Sequence, residues 1–331
     1  MFTLQELMTL CKNKLPKLEC IKIWNQRCDM DLLTVAESFP DIKEICLYDL
    51  QIKDNIVSQL FSKLQKLESV EIENTLINGE CLSSIGDKVC SLLWYTDSSS
   101  YIRDHLTLSA NGKNISSFQF GGHTRNPNDS ELIIELIRNE MPNLRKLKLY
   151  FDTGVHNYSL LNLKHLQELS VRIDESYGNY KVCQKLNSVK KLFLDVADIE
   201  DVNLMSHLSN TPNVQELHVI TSRFNYFSLS MIELFSRFQS LKSLTFEDMH
   251  FEHKRYHTLQ DKSKNALVET IDLLENVTNF SITLGCDEND VYCVPIVNSI
   301  EMIAKKRSNQ TFVIHFLNAN MTYHKFPTNM K

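Results

Sequence analysis

The chain has 331 residues, of which 43% are hydrophobic and 23% charged, the composition of an ordinary folded protein. Its net charge is −6 and its pI is near 6.0, so no overall basic field favours nucleic acid or an anionic membrane surface. No stretch reaches the roughly 18 apolar residues of a membrane span, and neither G-x-G-x-x-G nor G-x-x-x-x-G-K-[ST] occurs, so neither a membrane protein nor a nucleotide-binding one is indicated.

The first segment, MFTLQELMTLCKNK, places Leu4, Leu7, Met8 and Cys11 at roughly helical spacing and reads as a helical cap or the remnant of a preceding repeat. It has no long apolar core and no small-residue cleavage site. From there an apolar triplet spaced three and then two residues apart recurs along the chain. It appears as Leu18/Ile21/Ile23, Ile42/Ile45/Leu47, Leu67/Val70/Ile72, Val89/Leu92/Trp94 and Ile115/Phe118/Phe120. It continues as Leu144/Leu147/Leu149, Leu166/Leu169/Val171, Val189/Leu192/Leu194, Val214/Leu217/Val219, Leu241/Leu244/Phe246 and Val277/Phe280/Ile282, with a last copy at Thr311/Ile314/Phe316.

The spacing has a physical meaning. Residues two apart share one face of a strand, and the first apolar residue tucks in from the turn before it. Nine intervals cover the 223 residues from Leu18 to Leu241, a period of about 25, inside the range of leucine-rich repeats. Pro16, Pro40, Pro142 and Pro212 stand two residues ahead of four triplets and mark where a returning helix stops. Between triplets, residues 54–64 place Ile56, Leu60 and Leu64 on one helical face. Residues 129–141 do the same with Leu132, Leu136 and Met141, with Asp129 or Ser130 as the cap, and residues 226–238 behave similarly. The expected fold is α/β, a single leucine-rich repeat solenoid over residues 1–331 with 11–12 repeats between about 15 and 316. Short parallel strands would line the concave face of a curved horseshoe and helices the convex face, with 318–331 as a C-terminal tail.

The phrases MPNLRKLKL and TPNVQELHV resemble the turn into the strand of the intracellular repeats of F-box/LRR proteins, over residues 15 to about 316. That resemblance implies a substrate-recognition array of SCF ubiquitin-ligase type, with a target held in the horseshoe. The first repeat begins at Leu15, which leaves too little chain for an F-box, so an SCF adaptor is expected as a partner only of a fuller chain. The family's Asn or Cys after the strand is replaced by Gln26, Leu50, Thr75, Asp97, His123 and Asp152. A scaffold or sequestering inhibitor unconnected to ubiquitination is the alternative.

Candidate chemistry is thin. His250, His253 and His257 are spaced as on one helical face, but no helix start precedes them, and they read as part of a solvated loop. Cys286 and Cys293 are too far apart for a metal hook. Nine cysteines, an odd number without flanking clusters, read as reduced thiols and suggest the cytoplasm or nucleus. The chain reads as a non-enzyme with no cofactor, no metal, and neither nucleic acid nor membrane as partner.

The third, fifth and seventh positions of each repeat alternate with the buried ones and face the concave side. There the pattern places Trp24, Tyr48, Tyr95 and Tyr150, and, on neighbouring strands, Lys146, Lys148, Arg172, Lys191 and Phe193. Tyrosine, tryptophan and arginine dominate interface hot spots. These nine residues are the expected protein-binding set, suited to an acidic or phosphorylated segment that carries an apolar anchor.

Overall fold

The structure, a computed structural model, describes residues 11, 14–15, 17–24, 29–96, 102, 106–122, 127–151, 163–173, 186–196, 211–221, 239–249, 268–269, 272–273, 275–284, 294–307, 309–316 and 324–326. The chain divides into two compact units, Met1–Val155 with Leu160–Leu166, and His156–Ser159 with Gln167–Lys331.

In the first unit the strands β1 (Cys20–Trp24), β2 (Glu44–Tyr48), β3 (Ser69–Thr75), β4 (Ser91–Thr96), β5 (Ser117–Gly122) and β6 (Lys146–Phe151) lie side by side in chain order, all parallel. The apolar pattern fixes their register. Ile21, Ile45, Val70, Leu92, Phe118 and Leu147 align in one row, and Ile23, Leu47, Ile72, Trp94, Phe120 and Leu149 in the next. Every one of these side chains is buried, and a slip of one residue would turn both rows out to water.

The second unit repeats the arrangement with β7 (Glu168–Ile173), β8 (Lys191–Val196), β9 (Glu216–Thr221), β10 (Ser243–Met249), β11 (Asn279–Leu284) and β12 (Thr311–Phe316). A short strand, β13 (His324–Phe326), pairs antiparallel with β12 and lies inside the segment read as a tail. The last triplet is corrected: β12 aligns Phe312 with Phe280 and Ile314 with Ile282, two residues out of step with Thr311/Ile314/Phe316. Phe312 and Ile314 are buried, whereas Thr311 is not.

Each strand is entered in the same way. The N–H groups of Lys43 and Glu44 both donate to the Glu19 carbonyl, and those of Glu68 and Ser69 to Lys43, a pattern repeated down both units. The asparagine of the Pro-Asn phrase adds a rung to this ladder. Asn143 Nδ2 donates to the Lys113 carbonyl and Asn213 Nδ2 to the Asn187 carbonyl, each at 2.8 Å. At the far ends of three strands the backbone takes a positive φ, 53° at Asp49 just after β2, 50° at Asn74 near the end of β3 and 132° at Gly122, the last residue of β5. Asx and glycine residues adopt that conformation at least cost.

Helices α1 (Asp29–Ser38), α2 (Asp54–Lys63) and α3 (Pro127–Glu140) belong to the first unit and α4 (Val294–Lys306) to the second, while 3₁₀ turns at Glu80–Ser84 and Ser109–Asn114 take the helix's place in two repeats of the first unit. Two sequence expectations shift here. The buried face of α2 is Val57, Leu60 and Phe61, with Leu64 just beyond the helix, and Ile56 is only half-buried. Helix α3 begins at Pro127, so Asp129 and Ser130 lie inside its first turns, both buried, and do not cap it. A proline with its fixed φ starts a helix without losing a needed N–H. Its buried residues are Ile133, Ile134, Leu136 and Ile137, followed by Met141, and Leu132 is half-buried.

Asp54, the first residue of α2, is 8% exposed and ties two repeats together. Its carboxylate accepts the N–H groups of Asn78 at 2.8 Å, Gly79 at 3.1 Å and Cys81 at 2.9 Å, which are the free donors at the start of a 3₁₀ turn. Among the described residues no helix is long and apolar enough to cross a membrane. The expected helix at 226–238, the histidines 250, 253 and 257, and Cys286 and Cys293 lie outside the described residues.

Candidate protein-binding face

Side chains that alternate with the buried rows form a third set of rows on the open side of the strands. In the first unit the seventh repeat position gives Trp24, Tyr48, Glu73, Tyr95, Gly121 and Tyr150, one per strand and in register. Trp24 is 57% exposed and stacks on Tyr48, with ring centroids 5.2 Å apart and planes 17° from parallel. Tyr95 and Tyr150, two strands apart, are also stacked at 6.4 Å and 22°.

Gly121 makes the second stack possible. A Cβ on that residue would fall 2.2 Å from the Tyr95 ring, so the ring lies across the bare backbone of β5 to reach Tyr150. Gln119 Nε2 holds the Tyr95 hydroxyl at 2.7 Å. Gly121→Ala is expected to push the ring aside at a cost of about 1 kcal/mol, because a single flexible side chain can give way. A changed tyrosine band in near-ultraviolet circular dichroism checks this; an identical band would mean that the ring does not need the space.

The fifth position gives Lys22, Cys46, Glu71, Leu93, Gln119 and Lys148. The Cys46 thiol is buried and donates to Glu71 Oε2 at 3.3 Å. Burial, with that carboxylate, pushes its pKa up to about 12, so it stays a protonated thiol and is no nucleophile at neutral pH. Burial and Asp54 raise Cys81 well above the ordinary range, and burial and Glu44 raise Cys20. Cys11, Cys20, Cys46, Cys81 and Cys90 are all free thiols.

Burial, then the charge of neighbouring Glu71, holds the Glu73 carboxyl above the usual carboxylate range. Its charged form is therefore disfavoured in the fold, and stability falls as pH rises from the ordinary carboxylate pKa through the raised one. Glu73→Gln is expected to raise the melting temperature slightly at neutral pH, with the gain vanishing once pH falls below the carboxylate range. A gain that persisted in acid would assign the effect to something other than this charge.

The second unit treats its charges differently. Arg172 Nε lies 3.6 Å from Asp195 Oδ2, Lys191 Nζ 2.7 Å from Glu216 Oε2, and His218 Nε2 2.9 Å from Glu247 Oε2, each pair spanning adjacent strands. Phe193 sits against the His218 ring at 5.4 Å. The nine expected binding residues thus fall into two groups. Trp24, Tyr48, Tyr95, Lys146, Lys148 and Tyr150 stand on the open side of the first unit, and Arg172, Lys191 and Phe193 on that of the second. The spacing showed which residues face outward, but it did not show that Arg172 and Lys191 already have carboxylate partners. The signal was present, since Glu216 occupies the same repeat position as Lys191 one strand later.

Parallel strands in chain order, one apolar triplet per repeat and a shared turn into every strand define a leucine-rich repeat solenoid of α/β class. No protein-family model matches the chain, and no curated protein matches it. Among solved structures it is similar to an internalin (InlF) from Listeria monocytogenes, with a TM-score of 0.48 and 14% identity over 96% of this chain and 89% of that one. It is also similar to TLR13 in its complex with ssRNA13, with a TM-score of 0.49 and 15% identity over 83% of this chain and 37% of that one.

Proposed function

We propose that this protein is a non-catalytic recognition module that holds a protein partner on the open side of its strands. The observation that carries the reading is the aromatic row of the first unit, where Trp24 on Tyr48 and Tyr95 on Tyr150 stand side-on to water in fixed stacks. Rings held in place before binding lose little entropy when a partner arrives, which is why such side chains anchor interfaces. No described thiol on this face is activated, which favours binding over chemistry.

The resemblance to F-box/LRR proteins favours a narrower form of the reading, a substrate receptor of an SCF ubiquitin ligase, whose sign would be co-purification of the ligase adaptor with a fuller chain. A sequestering or scaffold role would show the same partner without it. For an acidic or phosphorylated partner segment, Lys148 beside Tyr150 offers an anchoring charge on β6, whereas Arg172 and Lys191 would first have to exchange Asp195 and Glu216.

Affinity capture followed by mass spectrometry tests the reading. Tyr150→Ala is expected to weaken recovery of the captured protein by about 1–3 kcal/mol of binding free energy while leaving melting nearly unchanged. Lys148→Glu should do the same if the bound segment is anionic. Full recovery with Tyr150→Ala and with Trp24→Ala would remove the strand face as the site.

A further inference from the structure

We infer that the strand face of β2–β4 receives an arginine side chain from an extended basic segment of the partner, with an apolar residue two positions away resting on the Trp24–Tyr48 stack. This inference rests on the reading of the strand face as the binding surface and adds the chemistry of what it binds.

Register comes first. Glu73 lies in line between Tyr48 on β2 and Tyr95 on β4, and Glu71 occupies the next outward position of the same strand, between Cys46 and Leu93. Two carboxylates therefore share one patch of open sheet, between the Tyr48 ring, stacked toward β1 on Trp24, and the Tyr95 ring, which leans over Gly121 toward Tyr150. Asp49, at the end of β2, adds a further negative charge near Glu73.

Elsewhere the fold matches its charges. Lys43 pairs with Glu19, Lys63 with Glu37 and Lys66 with Asp41 in this unit, and Arg172 with Asp195 and Lys191 with Glu216 across the strands of the other. Among the described residues Glu71 and Glu73 form no ion pair; Glu71 accepts the Cys46 thiol at 3.3 Å, and Lys22 on β1 stands in register with Cys46 rather than with either carboxylate. The two side chains are half-buried, so they are partly stripped of water and a like charge sits beside each. A cation placed between them would relieve both costs at once.

A guanidinium fits better than an ammonium. Its planar fork donates to two carboxylates together, which the point charge of an ammonium does not match. An extended chain crossing the strands moves about 6.6 Å in two residues, and the strands lie about 4.8 Å apart. An apolar side chain two residues from the arginine at β3 therefore lands on the rings that span β1 and β2.

The test is fluorescence anisotropy on the full chain with a labelled Gly/Ser peptide carrying leucine, serine and arginine in that order, and a control with glutamate for arginine. The arginine peptide should bind saturably and the control should not. Combining Glu71→Gln with Glu73→Gln, which keeps size and removes charge, should lower affinity about tenfold or more at low salt, with melting temperature kept or raised. Glu37→Gln on the helix side should leave affinity unchanged. Absence of saturable binding, equal affinity of the double variant, or an equal loss with Glu37→Gln would each overturn the inference. If Trp24→Ala abolishes peptide binding while the double carboxylate variant does not, the arginine site falls and the strand-face reading stands.

Discussion

Leu147→Asp should leave no soluble folded protein. Leu147 is 0% exposed and stands on β6 in register with Phe118 of β5, in a row of apolar residues that continues to Ile21. A carboxylate there has no cation and no donor to meet it, so the cost is several kcal/mol, comparable with the roughly 5–15 kcal/mol that holds a domain together. Leu147→Ala gives the graded version, about 2–5 kcal/mol from lost burial and the cavity left behind. Soluble yield and thermal melting check both. An aspartate variant that melts at the wild-type temperature would mean that the apolar row does not face the core.

Asp54→Ala should cost about 3 kcal/mol or more, a large loss for one carboxylate. Three backbone N–H groups, of Asn78, Gly79 and Cys81, donate to it in a nearly water-free setting, and alanine would leave them without an acceptor. Gly79 cannot easily move to find another partner. Its φ is 98°, and a Cβ there would already meet Leu106 at 2.5 Å and Trp94 at 2.7 Å, which shows how closely the turn is packed. Asp54→Asn keeps one acceptor oxygen, enough for the N–H groups of Gly79 and Cys81 but not for that of Asn78, and should recover part of the loss. Denaturant midpoints decide the matter, and an alanine variant within about 1 kcal/mol of wild type would show that water replaces the carboxylate.

Much of this architecture is legible in the triplet because strand side chains alternate with a period of two and buried rows tolerate no slip. The last repeat shows where the pattern fails. Phe312, Ile314 and Phe316 alternate without a break, so two registers satisfy the same spacing and only the pairing with β11 chooses between them. At α3 the cap residues looked like Asp129 or Ser130 because their side chains suit that role, yet Pro127 starts the helix earlier.

The face was legible and its partnerships were not. Spacing placed Trp24, Tyr48, Tyr95 and Tyr150 outward, but stacking across a skipped strand depends on a glycine whose value appears only once Tyr95 is seen lying over it. Likewise the positive character read from Lys146, Lys148, Arg172 and Lys191 counted charges without their neighbours. In three dimensions Asp195 and Glu216 lie against two of these residues, and the first unit carries on β3 a negative pair that forms no ion pair among the described residues.

The most direct measurement of which side the protein uses is site-specific photo-crosslinking of the captured partner. A photoreactive phenylalanine analogue replaces Trp24 or Tyr95 on the strand face, or Glu37 or Lys63 on α1 and α2, in otherwise unaltered protein. The account predicts crosslinked partner from positions 24 and 95 and none from 37 and 63; crosslinks confined to the helix positions would contradict it.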